Sequence, residues 1–313
     1  MSRTGVQCPE TRLRLNDCQS IRKGENVHIQ ADDARKGPDF VGIGCTKCGS
    51  TWLSYVLAQH PDIYIKLKEI YFFSYYYHKG YDWYHAYFEE RGGRLAGEIT
   101  PDYVITPRPD SSHREFYPKY NPRNTLKFWR PKAPSARDEL KARYPDVKIF
   151  SIYRNPADRA WSYYWFWRRR KEKLNKRVVP FESMFRDDGR WIKTQGFFAR
   201  YLAHWREAFP DMGVFFYDDI KTDPIELVQS TFRFLGVDDS FRPKVDEVIL
   251  KGDYNPMPDE TRAMLADTYR EEILRFSDMT GRDLSHWLDV PQPESSPFLT
   301  RDDLPQDAKG MPG

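Results

Sequence analysis

Phe40-Val-Gly-Ile-Gly-Cys-Thr-Lys-Cys-Gly-Ser-Thr-Trp-Leu53 is the stretch from which the rest of the chain can be read. An apolar, β-type run reaches Gly44 and a tight loop carries the chain to Gly49. Ser50-Thr51 then open a segment in which Trp52, Leu53, Val56 and Leu57 recur at helical spacing until His60-Pro61 stops it. The expectation is strand, loop, helix N-terminus. The first turn of a helix leaves backbone N–H groups unpaired and carries the positive end of the macrodipole. Lys47, Ser50 and Thr51 add a cation and two hydroxyls beside it. Such a loop suits a doubly charged phosphate.

The loop does not follow the order G-x-x-x-x-G-K-[ST] of nucleoside-triphosphate P-loops, because Lys47 precedes Gly49. Lys47-x-Gly49-Ser50-Thr51-x-Leu53 after a strand resembles instead the 5′-phosphosulfate loop of sulfotransferases that use 3′-phosphoadenosine 5′-phosphosulfate (PAPS). The resemblance implies nucleotide contacts from Thr46, Lys47, Cys48, Gly49, Ser50, Thr51 and Trp52. An ordinary βα turn would leave much the same trace, so a second site is needed to decide.

At 313 residues, 40% hydrophobic and 16% aromatic, the chain can bury a normal core. Its net charge of +3 makes no global case for nucleic acid or a membrane surface. No apolar run is long enough to span a bilayer, and the N-terminus lacks the apolar segment of a signal peptide. The expectation is a cytoplasmic protein without membrane insertion. The cysteines Cys8, Cys18, Cys45 and Cys48 are too few to staple a chain of this length, so reduced thiols are expected.

Cys45-x-x-Cys48 invites a zinc or a redox reading. A zinc site needs a second ligand pair, which the sequence does not offer, and a redox pair has no use for Lys47 and Ser50-Thr51. A milder expectation is that oxidation of thiols placed in the anion loop would switch nucleotide binding off.

Residues 1–38 are polar and aperiodic and read as an arm. After the first helix, Ile63-Tyr-Ile65 reads as a short strand that leads into Lys66-Leu-Lys-Glu-Ile-Tyr-Phe-Phe73. The carboxyl end of a second parallel strand faces the same crevice as the phosphate loop. Lys68-Glu69-x-x-Phe72-Phe73, followed by Tyr77-His-Lys-Gly-Tyr-Asp-Trp-Tyr84, resembles the sulfotransferase domain of heparan sulfate N-deacetylase/N-sulfotransferases and their bacterial relatives. That resemblance implies Glu69 as catalytic base, with Lys68 and His78 toward the acceptor.

Asp82 to Glu90 has helical spacing, and Arg94 to Thr100 reads as a third strand. It ends in Gly97-Glu-Ile-Thr-Pro-Asp-Tyr103, similar to a G-E-x-[ST]-P-x-Y run on the family's acceptor side, which makes Thr100 and Asp102 candidate acceptor contacts. Residues 104–136 are proline-rich and aperiodic and read as a long loop or lid.

Val147 to Tyr153 is the cleanest strand. Arg154-Asn-Pro follows, with Asn155 as cap and Pro156 at the first helical position, then Asp158-Arg-Ala-Trp-Ser162. The pattern strand-R-x-P-x-x-R-x-x-S resembles the family's 3′-phosphate site and implies that role for Arg154 and Ser162. The planar fork of arginine suits two phosphate oxygens. Two sites in family order make the resemblance specific.

The helix runs on into Trp165-Phe-Trp-Arg-Arg-Arg-Lys171, a cluster that fits an acidic acceptor or a solvated helix end better than nucleic acid, for which no motif is present. Where animal heparan N-sulfotransferases place a histidine in this region, this chain has none. Gly196 to Phe209 reads as a helix, Met212 to Tyr217 as a last strand, and Asp223-Pro224 as the cap of a helix ended by Gly236. A long helix runs from about Glu260 to Thr280. Ahead of it, Lys251-Gly252-Asp-Tyr254 resembles the family's loop that closes over the nucleotide, implying contacts from all three numbered residues.

These readings converge on one α/β domain over 39–290, with a central parallel sheet of about five strands flanked by helices and a tail at 291–313. The resemblance implies the P-loop-kinase-like sulfotransferase fold and transfer of a sulfuryl group from PAPS to a hydroxyl or amine of a small-molecule or glycan acceptor. Glu69 would act as base, Lys47 would stabilise the leaving adenosine 3′,5′-bisphosphate, and no metal is called for. A nucleotide-dependent small-molecule kinase and a non-catalytic anion-binding module are the competing classes.

Overall fold

The computed structural model describes residues 36–105, 135–187, 192–245 and 255–290. Its longest strand is β4 (Lys148–Tyr153), buried along nearly its whole length. That is what a run apolar on both faces requires of a strand inside a parallel sheet. Beside it lie β1 (Phe40–Gly42), β2 (Ile63–Tyr64), β3 (Leu95–Ile99) and β5 (Gly213–Phe216). They form a five-stranded sheet in the order β2-β3-β1-β4-β5, every neighbouring pair parallel. The fold is α/β, with the sheet flanked by helices, as the sequence predicts.

The described helices are α1 (Ser50–Leu57), α2 (Tyr81–His85), α3 (Ala136–Arg143), α4 (Pro156–Lys173), α5 (Phe181–Arg186), α6 (Phe198–Arg206), α7 (Tyr217–Thr222), α8 (Pro224–Leu235) and α9 (Asp259–Thr280). Their ends follow the local chemistry. The Asn155 side chain accepts from Ala157 N–H ahead of Pro156, and Asp223 accepts from Glu226 N–H ahead of Pro224. Gly236 and Gly281 end α8 and α9 in the left-handed region.

The chain departs from expectation at several points. Asp82 to Glu90 does not form one helix: α2 stops at His85, a 3₁₀ turn follows at Glu89–Arg91, and Phe88 N–H bonds His85 O at 2.8 Å. This tighter winding buries both Tyr84 and Phe88. The span 104–136 is not irregular at its described edges. Val104 closes a 3₁₀ turn (Pro101–Val104), and Ala136 starts α3, capped by the Ser135 hydroxyl, while 106–134 lie outside the described residues. Most of the arm (1–35) and the tail from 291 also lie outside them. Residues 36–39 are tied down by Arg91, which bonds Lys36 O at 3.1 Å and pairs with Asp39 at 2.8 Å. No helix among the described residues is long and apolar enough to cross a membrane.

Candidate active site

In the order β2-β3-β1-β4-β5, the connection after β1 leads to one edge of the sheet and the connection after β4 to the other. Open parallel sheets bind ligands where such connections part, outside the carboxyl ends of the strands. The β1–β4 ladder continues past the strand into the loop: Ile152 N–H bonds Gly44 O and Cys45 N–H bonds Ile152 O, both at 3.0 Å, and the Ser151 hydroxyl also donates to Gly44 O. The loop after β1 therefore starts at a fixed height beside the end of β4.

Within the loop, Cys48 N–H closes a turn on Cys45 O, Lys47 takes a left-handed φ of 69° and Gly49 one of 96°. Gly49 has no substitute here. A Cβ would sit 2.7 Å from Ile220 Cδ1 and 2.9 Å from the Tyr217 ring, in a conformation L side chains avoid. No side chain caps α1, so its first N–H groups have no side-chain acceptor at their own helix start.

Arg154 reaches this loop directly. Its Nη1 donates to Lys47 O at 3.5 Å, and its guanidinium lies 4.4 Å from the Tyr217 ring centroid. The two basic residues that the sequence assigns to opposite ends of a nucleotide thus share one crevice. Tyr217 was not foreseen. It lies just beyond β5, at the same carboxyl end of the sheet as Arg154, and that placement is the available signal.

The electrostatics are those of an anion site. Burial, then the cations Arg169, Arg154 and Lys68, pull the Lys47 ammonium below its ordinary pKa. Its Nζ also lies 5.2 Å from the Phe166 ring centroid. Lys68 in turn pairs with Glu69, whose other oxygen accepts the Tyr71 hydroxyl. Burial and that carboxylate hold Tyr71 far above its usual range, so it stays a neutral donor. Tyr71 has no motif behind it and was missed.

Asp102 belongs to the same cluster: burial and the Glu69 carboxylate push it up to about 6, with Tyr75 working against that rise. A carboxyl whose pKa is raised in the folded state favours folding when protonated, and that advantage is lost as pH rises from about 4 through about 6. Asp102→Asn is therefore expected to match the parent's thermal stability at pH 4 and exceed it at pH 8 by about 1–3 kcal/mol. Thermal melts at the two pH values check this.

The remaining candidates separate. Ser50 is buried and Thr51 half-buried in the first turn of α1. Trp52, 7% exposed, donates from Nε1 to Val245 O, which anchors the chain leading toward 246–254. Lys251, Gly252 and Tyr254 fall in that span, outside the described residues. Ser162 is buried on α4. Beside Arg154 opens a cleft of about 320 Å³ lined by Asp158, Trp161, Met257 and Arg262 among others.

Arg159, between Arg154 and Ser162 in the sequence motif, is fully buried and donates to Ile192 O, so it serves the core. His78 is exposed on the 3₁₀ turn Tyr77–Lys79, its ring 6.5 Å from that of Tyr76. Thr100, expected as an acceptor contact, is wholly buried and its hydroxyl is engaged by Glu98 and by the Ile70 N–H. It ties the end of β3 to the segment that carries Glu69.

Cys45 and Cys48 are buried free thiols. Burial raises Cys45, whereas the Cys45 thiol, Arg159 and Arg154 outweigh burial at Cys48 and lower it. No group of three or more His, Cys, Asp or Glu suited to a metal ion occurs among the described residues.

Comparison with known proteins agrees with this fold. The chain superposes on a sulfotransferase from Alicyclobacillus acidocaldarius with a TM-score of 0.60 at 22% identity, covering 80% of this chain and 99% of that one. It is 24% identical over 319 residues to human bifunctional heparan sulfate N-deacetylase/N-sulfotransferase 3, covering 88% of this chain and 34% of that protein. It is 31% identical over 180 residues to the membrane-associated sulfotransferase kil1 of Dictyostelium discoideum, covering 55% of this chain and 32% of that protein. The chain spans about a third of the length of these curated relatives. Residues 37–260 match the sulfotransferase domain model, and the chain belongs to that family.

Proposed function

We propose that this protein transfers the sulfuryl group of PAPS to a hydroxyl or amine of a carbohydrate or small-molecule acceptor. The observation that carries this reading is the meeting of Arg154 with the Lys47 loop at one crevice, with Glu69 brought into the same field through Lys68. The donor set suits PAPS. The α1 N-terminus, Lys47, Ser50 and Thr51 offer N–H, ammonium and hydroxyl groups to a 5′-phosphosulfate, and Arg154 offers a guanidinium to a 3′-phosphate. Relatives named as heparan N-sulfotransferases favour an amino sugar among possible acceptors.

Sulfuryl transfer, like phosphoryl transfer, asks a protein mainly to align and neutralise. As the acceptor's O–S or N–S bond forms and the bond from sulfur to the 5′-phosphate oxygen breaks, Glu69 takes the acceptor's proton. Lys47 neutralises the departing oxygen, or gives it a proton, which its lowered pKa favours. Lys68, held against Glu69, keeps that carboxylate oriented and adds positive charge near the transferring oxygens.

Calorimetric titration with adenosine 3′,5′-bisphosphate tests the nucleotide assignment. Saturable heat is expected with the bisphosphate and little with ATP–Mg. The reverse result would replace this reading with that of a kinase. Mass spectrometry for the gain of one SO₃ across a panel of amino sugars, phenols and alcohols then identifies the acceptor class.

A further inference from the structure

Behind Glu69 the core holds a second carboxylate that the mechanism above does not use. Glu98, on β3, is fully buried. Burial raises its pKa, and neutral donors from four residues work against that rise. Its Oε1 accepts from Tyr84 OH at 2.7 Å and Tyr103 OH at 3.1 Å. Its Oε2 accepts from Ile70 N–H at 3.0 Å and Thr100 Oγ1 at 2.5 Å. A carboxylate taken out of water costs several kcal/mol unless its lone pairs are satisfied, and a fully satisfied network fixes one geometry. Glu98 meets that condition.

Tyr84 and Tyr103 brace one oxygen of Glu98, and the other oxygen faces the segment that carries Glu69. Thr100 Oγ1, while donating to Glu98, accepts Ile70 N–H at 3.1 Å and Tyr71 N–H at 3.4 Å. One residue earlier, Ile99 N–H bonds Lys68 O at 2.7 Å. All these bonds join the end of β3 to Lys68–Tyr71, the segment that carries Glu69. Tyr71 itself is held at a left-handed φ of 56°, its carbonyl accepting from Ser74, Tyr75 and Tyr76, and its hydroxyl returns to Glu69. A non-glycine residue keeps such a conformation only where its surroundings dictate it.

We propose that Glu98 is the positioning residue for the catalytic carboxylate. Through Ile70 N–H, Thr100 and Tyr71 it fixes, from inside the core, the direction in which Glu69 faces the crevice. This rests on the reading of Glu69 as the base, and the test separates the two.

Glu98→Gln keeps the shape and replaces one acceptor oxygen by a donor, and Thr100→Val removes the bridging hydroxyl. Each is made alone and with Glu69→Gln. Turnover is read as adenosine 3′,5′-bisphosphate released from PAPS, with glucosamine, 2-naphthol and water as acceptors. Each single variant is expected to lower kcat by about ten- to a hundredfold, the scale of a small misplacement of a reacting group, with bisphosphate affinity unchanged. Amide exchange at Ile70 and Tyr71 should quicken, Thr100→Ser should restore turnover, and neither change should cost more once Glu69 is Gln.

Losses that multiply with Glu69→Gln, or faster amide exchange at unchanged kcat, overturn the proposal and leave Glu98 a purely structural group. Full turnover in Glu69→Gln alone would instead remove the base, independently of anything seen at Glu98. If Glu98→Gln does not fold, the Thr100 pair carries the same comparison.

Discussion

Glu69→Gln is expected to lower sulfuryl turnover by about a hundredfold or more, the low end of what a general base contributes, with the affinity for adenosine 3′,5′-bisphosphate unchanged. Glutamine keeps the length and one acceptor oxygen, so the segment from Lys68 to Tyr71 has little reason to move. What is lost is the capacity to take a proton. The two readouts divide because of where Glu69 sits: it follows β2 and is held by Lys68 and Tyr71, whereas the proposed nucleotide contacts lie on the loop after β1 and at the end of β4. Steady-state kinetics with chemistry limiting, set beside calorimetry, checks both halves. Undiminished turnover would remove Glu69 from the mechanism.

Arg154→Ala carries the second large effect, a loss of bisphosphate affinity of about a hundredfold, as expected from two charge-assisted hydrogen bonds to phosphate. The guanidinium is prearranged by the Tyr217 ring on one side and the Lys47 carbonyl on another, so little ordering is left to do on binding. Arg154→Lys should recover only a small part, since an ammonium cannot fork across two oxygens or lie flat on the tyrosine. Removing Arg154 also takes away one of the cations that depress Lys47, so the lysine's pKa should rise toward its ordinary value. Unchanged affinity in Arg154→Ala would show that the 3′-phosphate is held elsewhere.

What could be read from the sequence was what local chemistry dictates. The apolar run of β4, the Asn155-Pro156 start of α4 and the Gly281 end of α9 each follow from residues next to one another in the chain. α3 was not legible because only Ala136 and Leu140 of its charged sequence are buried, too few to show a period. α7 has no buried residue at all and directly follows the Phe-Phe end of β5.

The site divides in the same way. Lys47 and Arg154 stand in short motifs whose backbone setting is local. Tyr71 and Tyr217 acquire their places through contacts across the fold, and Glu98 stands in a family-like run that does not disclose its partners Ile70 and Tyr84. Thr100 stands in the same run, and only its complete burial reveals that it faces the core.

The strand order also divides the residues of the candidate site. Glu69, Lys68 and Asp102 hang from the β2–β3 wing of the sheet, while Arg154 and Tyr217 hang from the β4–β5 wing, with β1 as the boundary between them. On the proposed assignment, a swap confined to the first wing would retarget the enzyme to new acceptors while leaving the grip on its donor intact.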